Sequence, residues 1–440
     1  MEFVVLIIFI LGYIAITLEH NLKIDKLVPA LAMMALAWAV VSLSHLPVFE
    51  VSPHGLEESN VEAVLLHHFG KTCEILIFLI GAMTIVEIID HFDGFATIKK
   101  FIKTNQKKTL LWIVAILAFI LSAIIDNLTA TIVLISILAK LIKKREDRIW
   151  YVGLIVVTAN AGGAWSPIGD VTTTMLWMGE KVTTLKLIEH LILPSLVCML
   201  IPTYLASKMK AFQGTFDAPK ENEVVNKHSA FMLYLGLALI VAVPVFKTLT
   251  HLPPYVGMML SLAIFTILAE LITNREFEMT DATSDTGHVS PVHSALAKIE
   301  MPSLLFFLGI LMTVAALESL GMIFQFGQSV EGSIGTDLFV IILGFASAVV
   351  DNVPLVAAGM GMFPDLVIDH PDWHLIAFTA GTGGSMLIIG SAAGVVAMGM
   401  ERIDFFWYLK KIAWLALVGY ISGVAAFYFF NHYLFNALSV

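Results

Sequence analysis

Three aspartates interrupt long apolar stretches of this sequence, and they are its clearest candidates for chemistry. Asp126 and Asp351 are each followed by asparagine, in IIDNLTAT and VVDNVPLV, and Asp170 lies within SPIGDVTT. A carboxylate at the centre of a membrane costs roughly 2.5–3.5 kcal/mol even on lenient scales, so such a residue is a functional hypothesis by default. Carboxylate, amide and hydroxyl oxygens are hard ligands, and they suit a small hard cation rather than a soft metal.

Other polar residues surround these aspartates and complete a candidate ion-binding set. A buried aspartate that loses its cation takes up a proton, so competition for one carboxylate couples a cation to a proton without further machinery. The predicted ion-binding and proton-coupling residues are Asp126, Asn127, Thr129, Asn160, Asp170, Thr172, Thr173, Asp351, Asn352, Thr382 and Ser391. A simpler explanation of each Asp-Asn pair is an N-cap for the helix that follows it, and a residue can cap and bind at once.

A further acid, Glu87, is a candidate proton relay. It is the deepest of a group of charged residues toward the end of its apolar run, and Asp90 and Asp93 follow it. Solvation at the membrane interface is the simpler explanation of this group.

The composition indicates a polytopic α-helical membrane protein. Of the 440 residues, 58% are hydrophobic and 14% are charged, and the mean hydropathy is +0.88, whereas soluble domains carry about 25% charged residues. Apolar runs of about 17 to 25 residues recur along the chain, as expected of membrane spans. Cys73 and Cys198 both lie in apolar segments and form neither a disulfide framework nor a metal motif. No basic patch suggests a nucleic-acid partner, and no cofactor is predicted beyond the transported ions; membrane lipid is the expected environment.

The apolar runs predict about ten full spans and two shorter hairpins. The predicted spans are 3–18, 27–43, 71–89, 149–178, 189–207, 230–249, 254–272, 302–320, 373–400 and 412–435, and the predicted hairpins are 109–142 and 337–369. Between 273 and 300 a polar stretch indicates a loop rather than a domain.

The placement of Lys and Arg predicts the topology. All but four of the 25 basic residues lie in six loops, which the positive-inside rule assigns to the cytoplasm. Both flanks of the 34-residue run 109–142 are then cytoplasmic, and the run is too short for two helices of about 20 residues with a turn. A re-entrant hairpin with Asp126 at its tip is therefore expected. The flanks of 337–369 lack Lys and Arg, so this run should enter from outside. Both termini are predicted to be external.

These opposite orientations predict an inverted repeat. The expected segments are 1–70 (first spans and an external loop), 71–207 (first repeat), 208–301 (linking spans and cytoplasmic loops) and 302–440 (second repeat). The alternative is that each Asp-Asn run crosses the membrane once, which would leave five basic residues outside.

Each hairpin is followed by a span that glycines interrupt. TANAGGAWSPIGDVTTTM aligns with TAGTGGSMLIIGSAAG, so that Asp170 matches Ser391. Glycine and proline unwind helices, and freed carbonyls at membrane depth can coordinate a cation. We therefore predict a Na⁺ site at Asp126, Asp170 and the unwound backbone Gly162–Gly169. Close helix packing by small residues is the alternative for the glycines alone.

Together these paired motifs resemble the NhaD family of sodium/proton antiporters, within an ion-transporter superfamily that includes arsenite and dicarboxylate carriers. The resemblance covers nearly the whole chain. It implies exchange of Na⁺ or Li⁺ for protons across a bacterial inner membrane, a homodimer, and a moving unit made of the hairpins and the broken spans. It also implies site roles for Asp126, Asn127, Asp170, Thr172, Thr173, Asp351 and Asn352.

Competing functions differ in what they require. A sodium-coupled anion or arsenite/dicarboxylate carrier shares the superfamily, but three buried carboxylates would repel its substrate. An intramembrane protease would use paired aspartates, but no protease-type GxGD segment is present in the sequence. A channel fits poorly with two re-entrant tips in an inverted repeat. The sequence thus predicts a secondary transporter that works by alternating access, and not an enzyme.

Overall fold

The computed structural model describes residues 1–52, 55–100, 102–216, 227–279 and 290–431, which are folded almost entirely as α-helices. The helices of the first part of the chain are α1 Glu2–Thr17, α2 Glu19–Leu22, α3 Leu27–Leu43, α4 Val61–His91, α5 Ala96–Lys99, α6 Lys107–Ile125, α7 Asn127–Leu141, α8 Arg145–Gly163, α9 Val171–Met178 and α10 Thr184–Ala206. They are followed by a 3₁₀ turn at Lys210–Phe212, α11 Ser229–Thr250, α12 Pro254–Met279, α13 Pro291–Lys298, α14 Met301–Ser319 and α15 Met322–Ser333. The chain continues with α16 Thr336–Ala346, α17 Asn352–Met362, α18 Pro371–Gly383, α19 Ala392–Glu401, α20 Phe405–Lys411 and α21 Ala413–Phe430.

Seven helices in the described part of the chain are at least 18 residues long and apolar enough to cross a membrane. They are α4, α6, α10, α11, α12 (in its part Pro254–Thr273), α14 and α21. The predicted spans 3–18 and 27–43 correspond to α1 and α3, which have 16 and 17 residues. The predicted spans 149–178 and 373–400 are each divided into two helices. The membrane character expected from the composition is therefore present, with fewer long helices than the ten predicted full spans.

Three segments predicted as polar loops contain regular structure. The segment 44–70 holds the antiparallel strands β1 Val48–Ser52 and β2 Gly55–Ser59, followed by the first ten residues of α4. Asn60 caps α4, because its Oδ1 accepts a hydrogen bond from the Ala63 amide at 2.8 Å, so the helix begins before the apolar run does. Helix α13 lies in the predicted loop 273–300, and α15 follows α14. Hydropathy marks only the apolar part of a helix, which is why these extensions were not predicted. Residues 280–289 of that loop, residues 432–435 of the last predicted span and the C-terminus itself lie outside the described residues.

Helices α6 and α7 pack against each other, and the two ends of this run meet. Lys107, the first residue of α6, places its Nζ 2.8 Å from a carboxylate oxygen of Asp147, which follows α7 by six residues. The Tyr151 hydroxyl, one turn further along α8, donates to the Lys107 carbonyl at 2.9 Å. Asp126 lies at the other end of the run, where α6 stops and α7 begins.

The run formed by α16 and α17 has the same arrangement with shorter helices of 11 residues each. Phe339, in the first turn of α16, contacts Phe363, the residue after α17, with ring centroids 6.3 Å apart. Asp351 lies at the opposite end and caps α17.

Each broken span is held against the tip of the run that precedes it by the same contact. The Ser122 hydroxyl donates to the Ala159 carbonyl at 2.6 Å, and the Ser347 hydroxyl donates to the Ala380 carbonyl at 2.7 Å. Glycine is required where these elements touch, because a Cβ at Gly169 would come within 2.8 Å of the Ser122 carbonyl oxygen. Each tip therefore lies beside the following helix break, and equivalent hydrogen bonds from a serine hydroxyl to a backbone carbonyl join them.

Candidate functional site

Asp170 is the centre of the polar cluster, and both Asp-Asn tips converge on it. Its side chain is 2% exposed and caps α9, with Oδ1 accepting from the Thr172 amide at 2.8 Å and the Thr172 hydroxyl at 2.7 Å. Asn127 donates to the other carboxylate oxygen at 2.5 Å. Asn352, from the second tip, lies 3.4 Å from Oδ1. One carboxylate thus receives a side-chain amide from each Asp-Asn tip.

A second chain of hydrogen bonds joins the two broken spans. Asn127 also donates to the Asn160 side-chain oxygen at 2.9 Å, and the Asn160 amide donates to the Ser391 hydroxyl at 3.0 Å. Asn160 is fully buried and Ser391 is 2% exposed. The polar residues of both halves therefore form one connected network.

All three aspartates are N-caps, and for the two Asp-Asn pairs this agrees with the simpler explanation of the motif. Thr129, Thr172 and Val353 donate their backbone amides to Asp126, Asp170 and Asp351, respectively. The N-terminus of a helix carries partial positive charge, which favours an ionised carboxylate beside it. Three helices thus direct their N-termini at one region of the protein.

Asp126 has an unusual backbone conformation. Its φ is +76°, in a region that costs a non-glycine residue on the order of 1–3 kcal/mol and that clusters at functional sites. Both of its carboxylate oxygens accept from Thr129, from the amide at 2.7 Å and from the hydroxyl at 2.8 Å. Within the described residues Asp126 accepts hydrogen bonds from Thr129 and has none to Asp170, so Asn127 rather than Asp126 connects this tip to the cluster's centre.

The two tips and the first break enclose a cavity of about 60 Å³, which we call the ion cavity after the ligand predicted for its residues. Its polar lining residues are Lys26, Asp126, Asn127, Asp170, Thr174, Ser303, Asp351 and Asn352. A water molecule needs roughly 10–15 Å³ of such space, and sites for organic ligands are about 300–1,000 Å³. The cavity is large enough for a small ion with a few waters, and its described lining contains three carboxylates and one ammonium group.

Lys26 is the functional candidate that the sequence interpretation missed. Its Nζ lies 3.8 Å from an Asp351 carboxylate oxygen and 4.5 Å from the centroid of the Phe306 ring. The sequence placed it in a basic loop, since it immediately precedes α3. The signal that could have revealed it is this position at a helix start, from which a lysine can reach into the protein.

Some predicted site residues lie away from the cavity. The Thr173 hydroxyl donates to the Ser166 and Asp170 carbonyls, and the Thr382 hydroxyl donates to the Phe378 carbonyl of its own helix. Gly162 and Gly163 were predicted to be unwound but are the last residues of α8, so the break begins after them. Within the break, the Ser166 and Pro167 carbonyls accept from Thr173 and Thr174. This part of the unwound backbone is therefore engaged by its own helix and is not directed at the cavity.

Glu87 lines a separate and larger cavity of about 430 Å³, with Asp90 and Asp93. We call it the Glu87 cavity. It adjoins the ion cavity, since Met83 and Leu128 line both. Thr129, whose hydroxyl binds Asp126, also lines the Glu87 cavity.

The arrangement offers oxygen ligands on several sides of the ion cavity. Asn127 and Asn352 each use their amide nitrogens on Asp170, and within the described residues no hydrogen bond reaches their side-chain oxygens. With the carboxylates of Asp126, Asp170 and Asp351, these oxygens form a set that suits a hard cation. An ion bound there would replace the direct contact between Asn127 and Asp170.

Comparison with known proteins supports the family resemblance. A family model described as Citrate transporter matches residues 4–381. "Sodium/proton antiporter 1" of Arabidopsis thaliana is 42% identical over 96% of this chain and 71% of its own length. "Sodium/proton antiporter 2" of the same plant is 39% identical over 96% and 98% of the two chains. "Na(+)/H(+) antiporter NhaD" of Alkalimonas amylolytica is 32% identical over 99% and 92%.

A solved structure shares the fold. The YdaH transporter of Alcanivorax borkumensis has a TM-score of 0.53 and 11% identity, and the match covers 92% of this chain and 97% of that one. At this identity the likeness concerns the fold alone. The near full-length relatives and the matching family model confirm the resemblance drawn from the paired motifs: this chain belongs to the citrate-transporter family and, within it, to the group of NhaD-type sodium/proton antiporters.

Proposed function

We propose that this protein is a secondary active transporter that exchanges Na⁺ or Li⁺ for H⁺ by alternating access around its buried aspartates. The observation that carries the proposal is the meeting of Asn127 and Asn352 at Asp170 in a cavity of about 60 Å³. The relatives named as sodium/proton antiporters support the same conclusion.

In the proposed cycle the cation and the proton occupy the cluster in turn. A cation entering the cavity is bound by the carboxylates of Asp126 and Asp170 and by the side-chain oxygen of Asn127. When it leaves, a proton neutralises the carboxylate that remains, because an uncompensated buried charge is costly. The tips and breaks are joined by hydrogen bonds, so they would move together and carry either ion.

We further propose that the runs 109–142 and 337–369 are re-entrant hairpins within inverted repeats. The contacts between Lys107 and Asp147 and between Phe339 and Phe363 support this, since each brings the two ends of a run together. The equivalent bonds from Ser122 and Ser347 support the repeat.

The proposed setting is the one predicted from the sequence, a bacterial inner membrane with both termini external and a homodimeric assembly. The relatives from Arabidopsis thaliana show that such proteins also occur outside bacteria. In any membrane, the proposed orientation rests on the basic loops, which the positive-inside rule assigns to the inner side.

A sodium-coupled anion carrier is the second candidate, because the matching family model is described as Citrate transporter. Two observations weigh against it. The cavity is several times smaller than sites for organic ligands, which are about 300–1,000 Å³, and three aspartates against one lysine give it the wrong charge for an anion.

Proteoliposomes that contain a pH-sensitive dye test the proposal. Sodium, lithium, potassium, arsenite and succinate are added in turn, and Na⁺ or Li⁺ is expected to drive proton movement. Asp126→Asn and Asp170→Asn should abolish it. Asp404→Asn is the matched control, since Asp404 caps α20, does not line the cavity, and asparagine caps as well as aspartate. Proton movement driven by succinate or arsenite alone would favour the second candidate, and normal exchange by Asp170→Asn would refute the site.

A further inference from the structure

A third cavity, of about 410 Å³, contains an acid that no proposed step uses. It lies between α4, α14, α17 and the turn after α9, and Glu318 of α14 lines it. We call it the Glu318 cavity. Its mouth reaches His67 and Lys71, whose side chains are exposed.

The Glu318 cavity is the counterpart of the Glu87 cavity in the other half of the molecule. Leu311, Val314, Ala315 and Glu318 line it at positions i, i+3, i+4 and i+7 of α14. The Glu87 cavity is lined at the same spacing of α4 by Met83, Val86, Glu87 and Asp90. Glu318 therefore occupies the position of Asp90.

The other walls match in the same way. Ala357, five residues after Asn352, lines the Glu318 cavity, and Ile132, five residues after Asn127, lines the Glu87 cavity. Met175 follows Asp170 by five residues, and Val396 follows Ser391 by five. The two cavities are thus lined by equivalent positions on three pairs of helices, which are α4 and α14, α7 and α17, and α19 and α9.

The two cavities differ in their relation to the ion cavity. The Glu87 cavity shares Met83 and Leu128 with it, whereas the Glu318 cavity shares none of its described lining residues. The two cavities are nevertheless lined by neighbouring positions of the same helices. In α9, Thr174 lines the ion cavity and the next residue, Met175, lines the Glu318 cavity. Along α4, α14 and α17, the pairs Leu79 and Ile75, Phe307 and Leu311, and Val353 and Ala357 are each one helical turn apart. One turn, about 5.4 Å, therefore separates the two cavities.

Several charged groups face Glu318, and none of the described ones forms an ion pair or hydrogen bond with it. The groups near its cavity are His67, His68, Lys71 and Glu74 of α4, Lys181 of the turn after α9, and Asp365 of the loop after α17. Burial lowers the pKa of Lys181 below its ordinary value, and the negative charges of Glu318 and Asp365 oppose this shift. Lys181 also lies over the Trp373 ring, 4.9 Å from its centroid, which holds its ammonium at the edge of the cavity.

We propose that the Glu318 cavity is the outer half of the ion path and that Glu318 is its proton-uptake site. In this conformation the Glu318 cavity is closed toward the ion cavity. This inference rests on the proposed antiport function. A proton leaves hydronium from the outer solution and forms an O–H bond with the Glu318 carboxylate, and a water molecule is released. When the one-turn barrier opens, the proton passes to the central aspartates and Glu318 is ionised again.

Thiol accessibility tests the cavity without relying on transport. Met360→Cys, in the Glu318 cavity, and Ile132→Cys, in the Glu87 cavity, are made in a background that lacks Cys73 and Cys198. A charged, membrane-impermeant methanethiosulfonate reagent is applied to right-side-out and everted vesicles. Met360→Cys should react only from the side opposite the basic loops, and Ile132→Cys only from the side of the basic loops. Reaction of both from one side would overturn the assignment of the Glu318 cavity to an outer path.

The proton-uptake role is tested by varying the pH on each side of proteoliposomes of known orientation. Glu318→Gln should raise the outer proton concentration for half-maximal exchange by about two- to fivefold, as expected for one partly solvated charge. Its dependence on inner pH should stay unchanged. Asp90→Asn, at the equivalent position, should change the dependence on inner pH and leave the dependence on outer pH unchanged. Glu318→Asp should restore the native dependence on outer pH.

The outcomes separate this inference from the proposed function. If the native protein exchanges Na⁺ for H⁺ and Glu318→Gln keeps the native dependence on outer pH, Glu318 has no uptake role and the antiport function stands. If the native protein moves no protons with any cation, the antiport function fails, and the uptake role fails with it.

Discussion

The two halves of the molecule share their tip-to-break contacts but not their candidate ion ligands. Each half has an Asp-Asn tip, a serine that binds the following span, and a helix break with glycines. The first break, however, contains Asn160, Asp170 and Thr172. The equivalent positions of the second break are occupied by Gly381, Ser391 and Ala393.

The difference separates what builds the fold from what binds the ion. The serine hydrogen bonds between tip and broken span are present in both halves, where they hold the end of each helix before the break against its tip. A carboxylate is needed only where the ion lies. The second half contributes Asn352 and Asp351 to a candidate site centred in the first half, and Ser391 joins the network through Asn160.

The largest difference between the halves should appear at the matched pair Asp170 and Ser391. Asp170→Asn is expected to lower exchange by about 100-fold or more, since several hydrogen bonds to a charged group are lost, while Ser391→Ala should lower it by less than about tenfold. The measurement is the initial rate of Na⁺-driven proton movement in proteoliposomes. Equal losses would show that the two breaks contribute alike.

The two tip asparagines provide a finer comparison. Asn127 lies 2.5 Å from Asp170 and also binds Asn160, whereas Asn352 lies 3.4 Å away. Asn127→Ala should raise the half-saturating Na⁺ concentration by about tenfold, and Asn352→Ala by about two- to threefold. A larger effect at Asn352 would place the ion nearer the second tip.

Lys26 belongs to neither half and sharpens the comparison of the two tips. Its ammonium is 3.8 Å from Asp351, so it competes with a cation for the second tip only. Lys26→Met should lower the half-saturating Na⁺ concentration by about two- to fivefold, as expected for a partly exposed pair, and Lys26→Arg should leave it close to native. An unchanged value in Lys26→Met would mean that the ion does not contact Asp351.

The smallest expected effects concern the contacts that the halves share. Ser122→Ala and Ser347→Ala each remove one buried hydrogen bond, of 2.6 Å and 2.7 Å. Each should lower the free energy of unfolding by about 1 kcal/mol, measured as equal shifts of the melting temperature in detergent. Clearly unequal shifts would contradict the equivalence of the two halves.

Much of the arrangement could be predicted from the sequence because its signals are local. Apolar runs mark helices, and the breaks at Gly163 and Gly383 follow from clustered glycines. The Asp-Asn motifs marked both tips, with helices ending just before Asp126 and beginning just after it. The strands β1 and β2 and the helices α13 and α15 were missed, because polar segments carry no hydropathy signal.

The roles of individual oxygens could not be predicted, since they depend on which groups already have partners. Thr173 and Thr382 have the right chemistry and lie near the breaks, yet their hydroxyls bind backbone carbonyls. The carbonyls of Ser166 and Pro167 are likewise occupied. A sequence gives the donors and acceptors, but their pairing is a property of the folded chain.

The sequence by itself determined that this is a helical membrane protein with two Asp-Asn motifs and an aspartate, Asp170, that has no counterpart at the second break. Composition and motifs are properties of the residues themselves, so they can be read without the fold. Only the tertiary structure decided that Asn127 and Asn352 meet at Asp170, that Lys26 reaches Asp351, and that Glu318 lines a counterpart of the Glu87 cavity. These contacts join residues up to hundreds of positions apart. Their geometry depends on how helices pack around the breaks, and no local pattern in the sequence records it.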